Sequence, residues 1–383
     1  MSEPTVAIVT RAKGTFFKPL YEAFALAQPA GWKTLVAWPE SRRSEHPDES
    51  VTPRAPNLEI CSVPCRTFSV RQRENRTGGS PVCTESYLPS PALWRLLASR
   101  DIRAVLIHEF SPFTLGALIF AKTRRIPVVA SSEVGRRNRM YFSATTRLWH
   151  SFWGRFVDGI VACSPAAREP LSGGNRRVFS AYHAVDSRIY VPAKKAGAVG
   201  APVIFAYLGQ LIHRKGIDLF LKAAARLRDE GVEGFRVRLI GGGDVPWVRG
   251  WISELRLEGK VELTGFLSGP AIRDALGNAD VFVLPTRQDT YAAVVHEAAC
   301  LGLPLLISEH AGAAEALVAD ARNGFAFDPE DTGQFAALMR RLLAPEMRES
   351  MGVASRSMAE PLSAHVRGKA FWEWMEKTFA LSC

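Results

Sequence analysis

Asp280-Val-Phe-Val-Leu-Pro-Thr-Arg-Gln-Asp289-Thr-Tyr-Ala-Ala-Val-Val-His-Glu297-Ala-Ala-Cys-Leu-Gly302 decides the reading of this chain. An apolar run ends at Pro285, a short polar turn follows, and Glu297 opens an Ala-rich stretch, so the segment reads as strand, turn and helix. Seven residues separate the carboxylates Asp289 and Glu297. Lys215, 74 positions before Asp289, lies in a second unit of the same kind. There Val203-Ile-Phe-Ala-Tyr-Leu208 runs into Gly209-Gln-Leu-Ile-His-Arg-Lys-Gly216 and another helix. A cationic strand-to-helix turn suits a diphosphate, because fixed cations and helix N-terminal N–H groups both favour anionic oxygens. Two carboxylates on a parallel turn accept hydrogen bonds from sugar hydroxyls. One fold then holds a nucleotide, a diphosphate and a sugar together.

At these residues the chain resembles a known family. From about Val203 to Leu343 it is similar to the donor half of a family 4 glycosyltransferase. The matching pieces are Gly209 with Arg214-Lys215-Gly216, Leu239-Ile-Gly-Gly-Gly-Asp244, Leu263-Thr-Gly-Phe266, the Asp289 and Glu297 pair, and Asn323-Gly324. The upstream half fits more loosely. The resemblance implies the GT-B fold, two Rossmann-like, doubly wound α/β domains with parallel sheets facing a cleft. It also implies retaining transfer of a hexosyl-type sugar from a nucleotide-diphosphate sugar to a hydroxyl, with the nucleotide sugar as substrate and no cofactor.

The rest of the chain fits two such domains. A length of 383 residues usually exceeds one domain. Strand-like runs near 5–10, 34–38, 104–107, 127–130 and 158–162 alternate with helical stretches at 18–28, 91–99, 113–123 and 141–156. Pro39–Arg66 and Arg71–Pro81, rich in polar and turn-forming residues, read as long loops. Val191-Pro-Ala-Lys-Lys-Ala-Gly-Ala-Val-Gly-Ala-Pro202 has linker composition. Strands then recur near 203–208, 236–241, 260–264, 281–284 and 304–307. The expected division is an acceptor-side domain at 1–190, a donor domain at 203–360, and a final segment at 361–383. By resemblance that segment crosses back to the first domain, through Phe371-Trp-Glu-Trp-Met375.

Hydrophobic residues at 47% and charged residues at 22% describe an ordinary globular protein. No apolar stretch reaches the roughly 18 residues that span a bilayer. Thr5-Val-Ala-Ile-Val-Thr10 reads as a first strand with no basic segment or cleavage site before it, so cytoplasmic residence is expected. Six cysteines without a C-x-x-C or zinc spacing read as reduced thiols. The charge is uneven. Residues 1–195 hold 28 Lys and Arg against 15 Asp and Glu, a net +13, whereas residues 196–383 net −3. A basic first half suits an anionic membrane, nucleic acid or a phosphorylated acceptor, or else is a solvated Arg-rich surface. No aromatic-rich recognition motif accompanies the basic runs, so nucleic acid is not expected.

The candidate chemistry sits in both halves. Arg214 and Lys215 would stabilise the charge a leaving nucleoside diphosphate gains as the glycosidic bond breaks. Gly209 and Gly216 admit the backbone close to the phosphates. The family commonly has Arg where Gln210 stands, and Arg214 is placed to supply that charge from another angle. By resemblance, Asp289 contacts hydroxyls of the transferred sugar and Glu297 the ribose. The family usually has Glu at the first position, and often Gly where the Ala292-Ala293 turn begins. The same resemblance implies that Gly242 belongs to a turn near the nucleotide and that Phe266 borders the base, unless Phe266 is a core aromatic.

In the first half, Gly14 follows the first strand, where the family's backbone approaches the diphosphate. His108, at a strand end, and Glu133, where many relatives have His, are equal candidates to act on the acceptor. No two Asp residues are separated by one position, so the Asp-x-Asp metal clamp of other sugar transferases is missing. Metal-independent transfer is expected.

The basic domain, with Arg66, Arg71, Arg73, Arg76, Arg136, Arg137, Arg139 and Arg147, points to docking on an anionic inner membrane face and a lipid-linked or cell-surface glycan acceptor, as in polysaccharide biosynthesis. A glycoside hydrolase using Asp289 and Glu297, and a non-catalytic nucleotide-sugar or nucleic-acid binding protein, are the rival readings.

Overall fold

A computed structural model describes residues 3–11, 18–40, 55–71, 83–173, 177–192 and 200–381. Gly14, Arg73, Arg76 and the linker residues 193–199 lie outside the described residues. The chain divides into two compact units: the described residues up to Ala184 together with those from Ala364 onward, and Val185–Ser363.

The first unit holds β1 (Pro4–Thr10), β2 (Lys33–Pro39), β3 (Leu58–Val63), β4 (Thr67–Arg71), β5 (Cys83–Tyr87), β6 (Asp101–His108), β7 (Val128–Ser132), β8 (Gly159–Ala162) and β9 (Arg177–Ser180). Seven of these form one sheet in the order β3-β2-β1-β6-β7-β8-β9, every pair parallel, while β4 and β5 make a separate antiparallel pair. The order reverses between β1 and β6, whose last residues Thr10 and His108 stand side by side. Crevices at such a reversal, outside the carboxyl ends of the strands, are where doubly wound sheets hold ligands. Parallel strands are buried on both faces, which is why Val6–Val9 and Ala104–Ile107 are continuous apolar runs with almost no exposure.

The second unit repeats the design with β10 (Val203–Leu208), β11 (Phe235–Ile240), β12 (Val261–Gly265), β13 (Val281–Leu284), β14 (Leu305–Ser308) and β15 (Gly324–Phe327). Their order is β12-β11-β10-β13-β14-β15, again all parallel, and the reversal falls between β10 and β13. Two doubly wound parallel sheets are the GT-B pair.

Five strands escape the sequence reading: the antiparallel pair β4 and β5, and the edge strands β3, β9 and β15. β3 lies inside Pro39–Arg66, read as loop, and β9 and β15 were not anticipated. Each is the outermost strand of its sheet. An edge strand is partly solvated, so Leu58-Glu-Ile-Cys-Ser-Val63 and Arg177-Val-Phe-Ser180 carry polar residues in place of an unbroken apolar run. Arg71, read as the start of a loop, ends β4.

The helix Ala364–Phe379 packs within the first unit against the helix Lys18–Leu26. Phe371 and Trp372 meet Phe24 and Trp32 at ring separations of 4.8 and 5.0 Å. Gly368 makes the approach possible, because a Cβ there would lie 2.6 Å from the backbone carbon of Ala23. Among the described residues, no helix is long and apolar enough to cross a membrane. Cys61, Cys163 and Cys300 are free thiols.

Candidate active site

The carboxyl ends of β10 and β13 bring the second unit's predicted residues together. After β10 the chain makes a short 3₁₀ turn, His213–Lys215, and enters the helix Ile217–Asp229 through Gly216. Gly216 is in the left-handed region, φ 71°, and a Cβ would stand 1.9 Å from the Pro285 carbonyl oxygen. Only glycine lets the loop after β10 lie against the loop after β13. Across that contact Lys215 Nζ donates to Asp289 Oδ2, and both side chains are mostly buried. The other Asp289 oxygen accepts the Tyr291 N–H at 3.2 Å.

Arg214 Nη1 donates to the Gln288 carbonyl at 2.7 Å, and Thr286 Oγ1 donates to the Arg214 carbonyl at 3.2 Å. Arg214 therefore ties the two loops together. A second tie was missed in the sequence. Arg287 grips Asp218 with two hydrogen bonds of 2.8 and 2.7 Å, and also reaches Glu330 at 2.7 Å and the His213 carbonyl at 2.8 Å. Burial would raise the Asp218 pKa, but the Arg287 hydrogen bonds and charge outweigh it and hold the carboxyl below its ordinary value. The signal available was an acid at the start of one helix and an arginine two residues before Asp289. Neither has a recognisable spacing.

Glu297 sits in the first turn of the helix Val294–Cys300, which begins three residues earlier than the sequence reading placed it. Burial pushes its pKa up to about 7, partly offset by a hydrogen bond from Tyr190. Tyr190 was also missed, since it precedes Glu297 by more than a hundred residues. Ala292 has φ 71°, a conformation that costs an L-residue roughly 1–2 kcal/mol, so the position is one where glycine fits best. Ala293 resumes right-handed helical geometry and caps the helix without a side-chain bond.

Around β11 and β12, Gly209 donates its N–H to the Ile240 carbonyl, Leu211 to Gly242, and Gly241 to Gly265, at 3.0, 2.8 and 3.0 Å. The glycine loop is thus stitched to the Lys215 loop. A Cβ on Gly242 would lie 3.8 Å from the Cβ of Phe266. Phe266 is 69% exposed, which removes the core-aromatic reading.

The first unit has its own constellation, at the ends of β6 and β7. A pocket of about 570 Å³ is lined by residues including Arg11, His108, Glu109, Glu133, Trp149 and His150. His108 Nδ1 faces Ser131 Oγ at 3.1 Å, and Ser131 Oγ meets Cys163 Sγ at 2.9 Å. Glu133 Oε1 pairs with His183 Nε2 at 2.6 Å. Glu109 is bonded by the Glu133 N–H at 2.9 Å and approached by His150 Nε2 at 3.4 Å. Its backbone takes φ 59°, and its carbonyl accepts from Thr114 Oγ1 at 2.7 Å.

Burial, then the Glu133 charge, push the Glu109 carboxyl up to about 7. Burial brings His108 and His150 down to about 4, so both rings are neutral near pH 7. His108 and Glu133 therefore share one pocket. Glu109, His150 and His183 were not picked out as site residues, because their partners come from different strands and helices. Among the described residues, no three His, Cys, Asp or Glu side chains are grouped to hold a metal ion.

Residues 193–358 match the model of the family described as glycosyl transferases group 1. The likeness to that family lies within the second unit. The match covers Arg214, Lys215, Asp289 and Glu297 and all of the second unit's sheet. The WcaL protein of Salmonella typhimurium is 30% identical over 149 residues, 37% of this chain and 36% of its own length. A GDP-mannose-dependent alpha-mannosyltransferase of Corynebacterium glutamicum is 26% identical over 262 residues, 64% of this chain and 60% of its own. The chain thus spans between about a third and three fifths of these curated relatives. In fold, the chain is similar to the solved Anabaena HepE in complex with UDP. The TM-score is 0.73 at 15% identity, over 97% of this chain and 100% of that one.

Proposed function

We propose that this protein is a retaining glycosyltransferase that moves a sugar from a nucleotide-diphosphate sugar to a hydroxyl acceptor, without a metal ion. The observation that carries this reading is the contact of Lys215 with Asp289 at the reversal of the second sheet. A cation beside a sugar-binding carboxylate matches the two ends of the bond to be broken. Lys215, with Arg214 beside it, would take up the charge that develops on the leaving diphosphate, and Asp289 would hold the hydroxyls of the transferred sugar. Glu297 is the candidate for the ribose, and exposed Phe266 for the edge of the base. The donors in the names of the mannosyltransferase and of the HepE complex support a nucleotide-diphosphate substrate and make GDP and UDP the first nucleotides to try.

The first unit's pocket supports a glycan acceptor, because Trp149 and Phe142 offer ring faces beside the Glu109 and Glu133 carboxylates. The neutral His108 ring and the Glu133 carboxyl are the two candidates to accept a hydrogen bond from the acceptor hydroxyl. In a retaining, same-face transfer the leaving phosphate oxygen helps to take the proton.

The test is incubation with a panel of UDP-, GDP- and ADP-sugars in chelator, reading nucleoside diphosphate release and the anomeric configuration of product by NMR. Release from one donor that needs an added glycan or lipid-linked glycan supports the proposal. Glycoside cleavage without any nucleotide, undiminished in Lys215→Ala, would replace it with the hydrolase reading.

A further inference from the structure

A surface helix normally turns its polar face to solvent. The helix Ala144–Trp153 and its flanking 3₁₀ turns, Arg139–Tyr141 and Gly154–Phe156, do the opposite. Met140 and Leu148 are 71% and 72% exposed, Phe152 is 46% exposed, and Tyr141 and Phe156 are exposed too. Leu148, Phe152 and Phe156 recur at four and four residues, which sets them along one side of the helix and the 3₁₀ turn that continues it. Six of the sixteen exposed large hydrophobic side chains among the described residues fall between Met140 and Phe156.

Charge accompanies them. Residues 134–157 contain five arginines, at 136, 137, 139, 147 and 155, and no Asp or Glu. All but Arg147 are exposed. The helix is also held firmly: Ser143 caps it by accepting the Thr146 N–H at 3.1 Å, and Trp149 Nε1 donates to the Phe110 carbonyl at 2.6 Å. The exposed stripe therefore belongs to an ordered element. Its inner side, through Thr146 and His150, walls the pocket that holds Glu109 and Glu133.

We propose that the segment Arg136–Phe156 seats the first unit on an anionic bilayer. Leu148, Phe152 and Phe156 enter the headgroup and acyl boundary, and the arginines meet lipid phosphates. Aliphatic and aromatic side chains flanked by arginine, with no Asp or Glu in the segment itself, are the chemistry of an interfacial helix. The seat needs no sugar nucleotide, so it stands or falls apart from the transfer reaction. Where transfer is also present, the seat sets the pocket wall against the surface that carries lipid-linked acceptors.

The experiment is co-sedimentation of the full chain with phosphatidylcholine vesicles, alone or with roughly a third phosphatidylglycerol. Leu148→Ser/Phe152→Ser and Arg136→Gln/Arg139→Gln are compared with the wild type. The seat requires wild-type binding to anionic vesicles and little to neutral ones. The arginine pair should lower partitioning roughly 30-fold, from about 1 kcal/mol per residue. Its exposed positions leave folding intact, so it keeps the test valid if the apolar pair unfolds. Equal recovery on neutral and anionic vesicles, or undiminished binding by both variants, overturns the proposal. So does a wild-type dimer that the apolar pair converts to monomer, which would make the stripe a self-association face.

Discussion

Lys215 and Asp289 are 74 residues apart in sequence and ion-paired in space, because β10 and β13, which deliver them, are neighbours at the reversal of the second sheet. The glycine after Lys215 lets the two loops touch, and Arg214 and Arg287 bind them together. The first unit repeats the logic at its own reversal, where His108 ends β6 beside Thr10 of β1.

Gly216→Ala tests the close approach. The new Cβ would overlap the Pro285 carbonyl and the residue would be held at φ 71°. A loss of roughly 2–4 kcal/mol in urea unfolding is expected. Gly231→Ala, with the same sign of φ but open space around it, should lose only about 1 kcal/mol. Equal losses would remove the packing argument.

Asp218 and Arg287 should behave as one unit. Asp218→Asn leaves a partly buried guanidinium under-paired and is expected to cost roughly 1–3 kcal/mol. Arg287→Lys cannot reproduce the two-pronged grip and should cost a similar amount. A double variant no worse than either single one confirms the coupling, and additive losses would contradict it.

Glu297 gives a pH signature. Its folded pKa of about 7 lies above the ordinary 4.5, so the folded chain holds the proton that the unfolded chain has lost between those values. Its stabilising effect is complete below about pH 4.5 and disappears as pH rises through 7, a decline of up to about 3 kcal/mol. Glu297→Gln should flatten this part of the stability–pH curve. If the carboxylate also accepts ribose hydroxyls, nucleotide affinity in the wild type rises from pH 6 to 8 and that rise disappears in Glu297→Gln.

Ala292 carries a left-handed backbone that glycine adopts freely. Ala292→Gly is expected to leave stability unchanged or raise it by up to about 1 kcal/mol. A clear loss of stability would show that the Ala292 methyl packs usefully.

Much of this architecture is legible in the residues. The buried central strands are unbroken apolar runs, and Val203–Leu208 and Val281–Leu284 were delimited to the residue. Edge strands β3 and β9 were not, because half-solvated strands lack that signature, and β15, only Gly324–Phe327, is too short a run to stand out. Lys215, Asp289 and Glu297 follow from local motifs. Tyr190, Asp218, Arg287, His150 and His183 do not, since each acts through a partner delivered from a different element. Phe266 shows the reverse case: its identity is plain in the sequence, but only the fold puts its ring in solvent.

The most direct test of the donor site is calorimetric binding of UDP, GDP and ADP to the wild type and Lys215→Ala, with no divalent metal present. One nucleotide should bind selectively, and the substitution should weaken it roughly 10- to 100-fold, the value of a charge-assisted hydrogen bond. Binding of none of them, or equal binding by folded Lys215→Ala, would contradict a nucleotide-sugar site at Lys215 and Asp289.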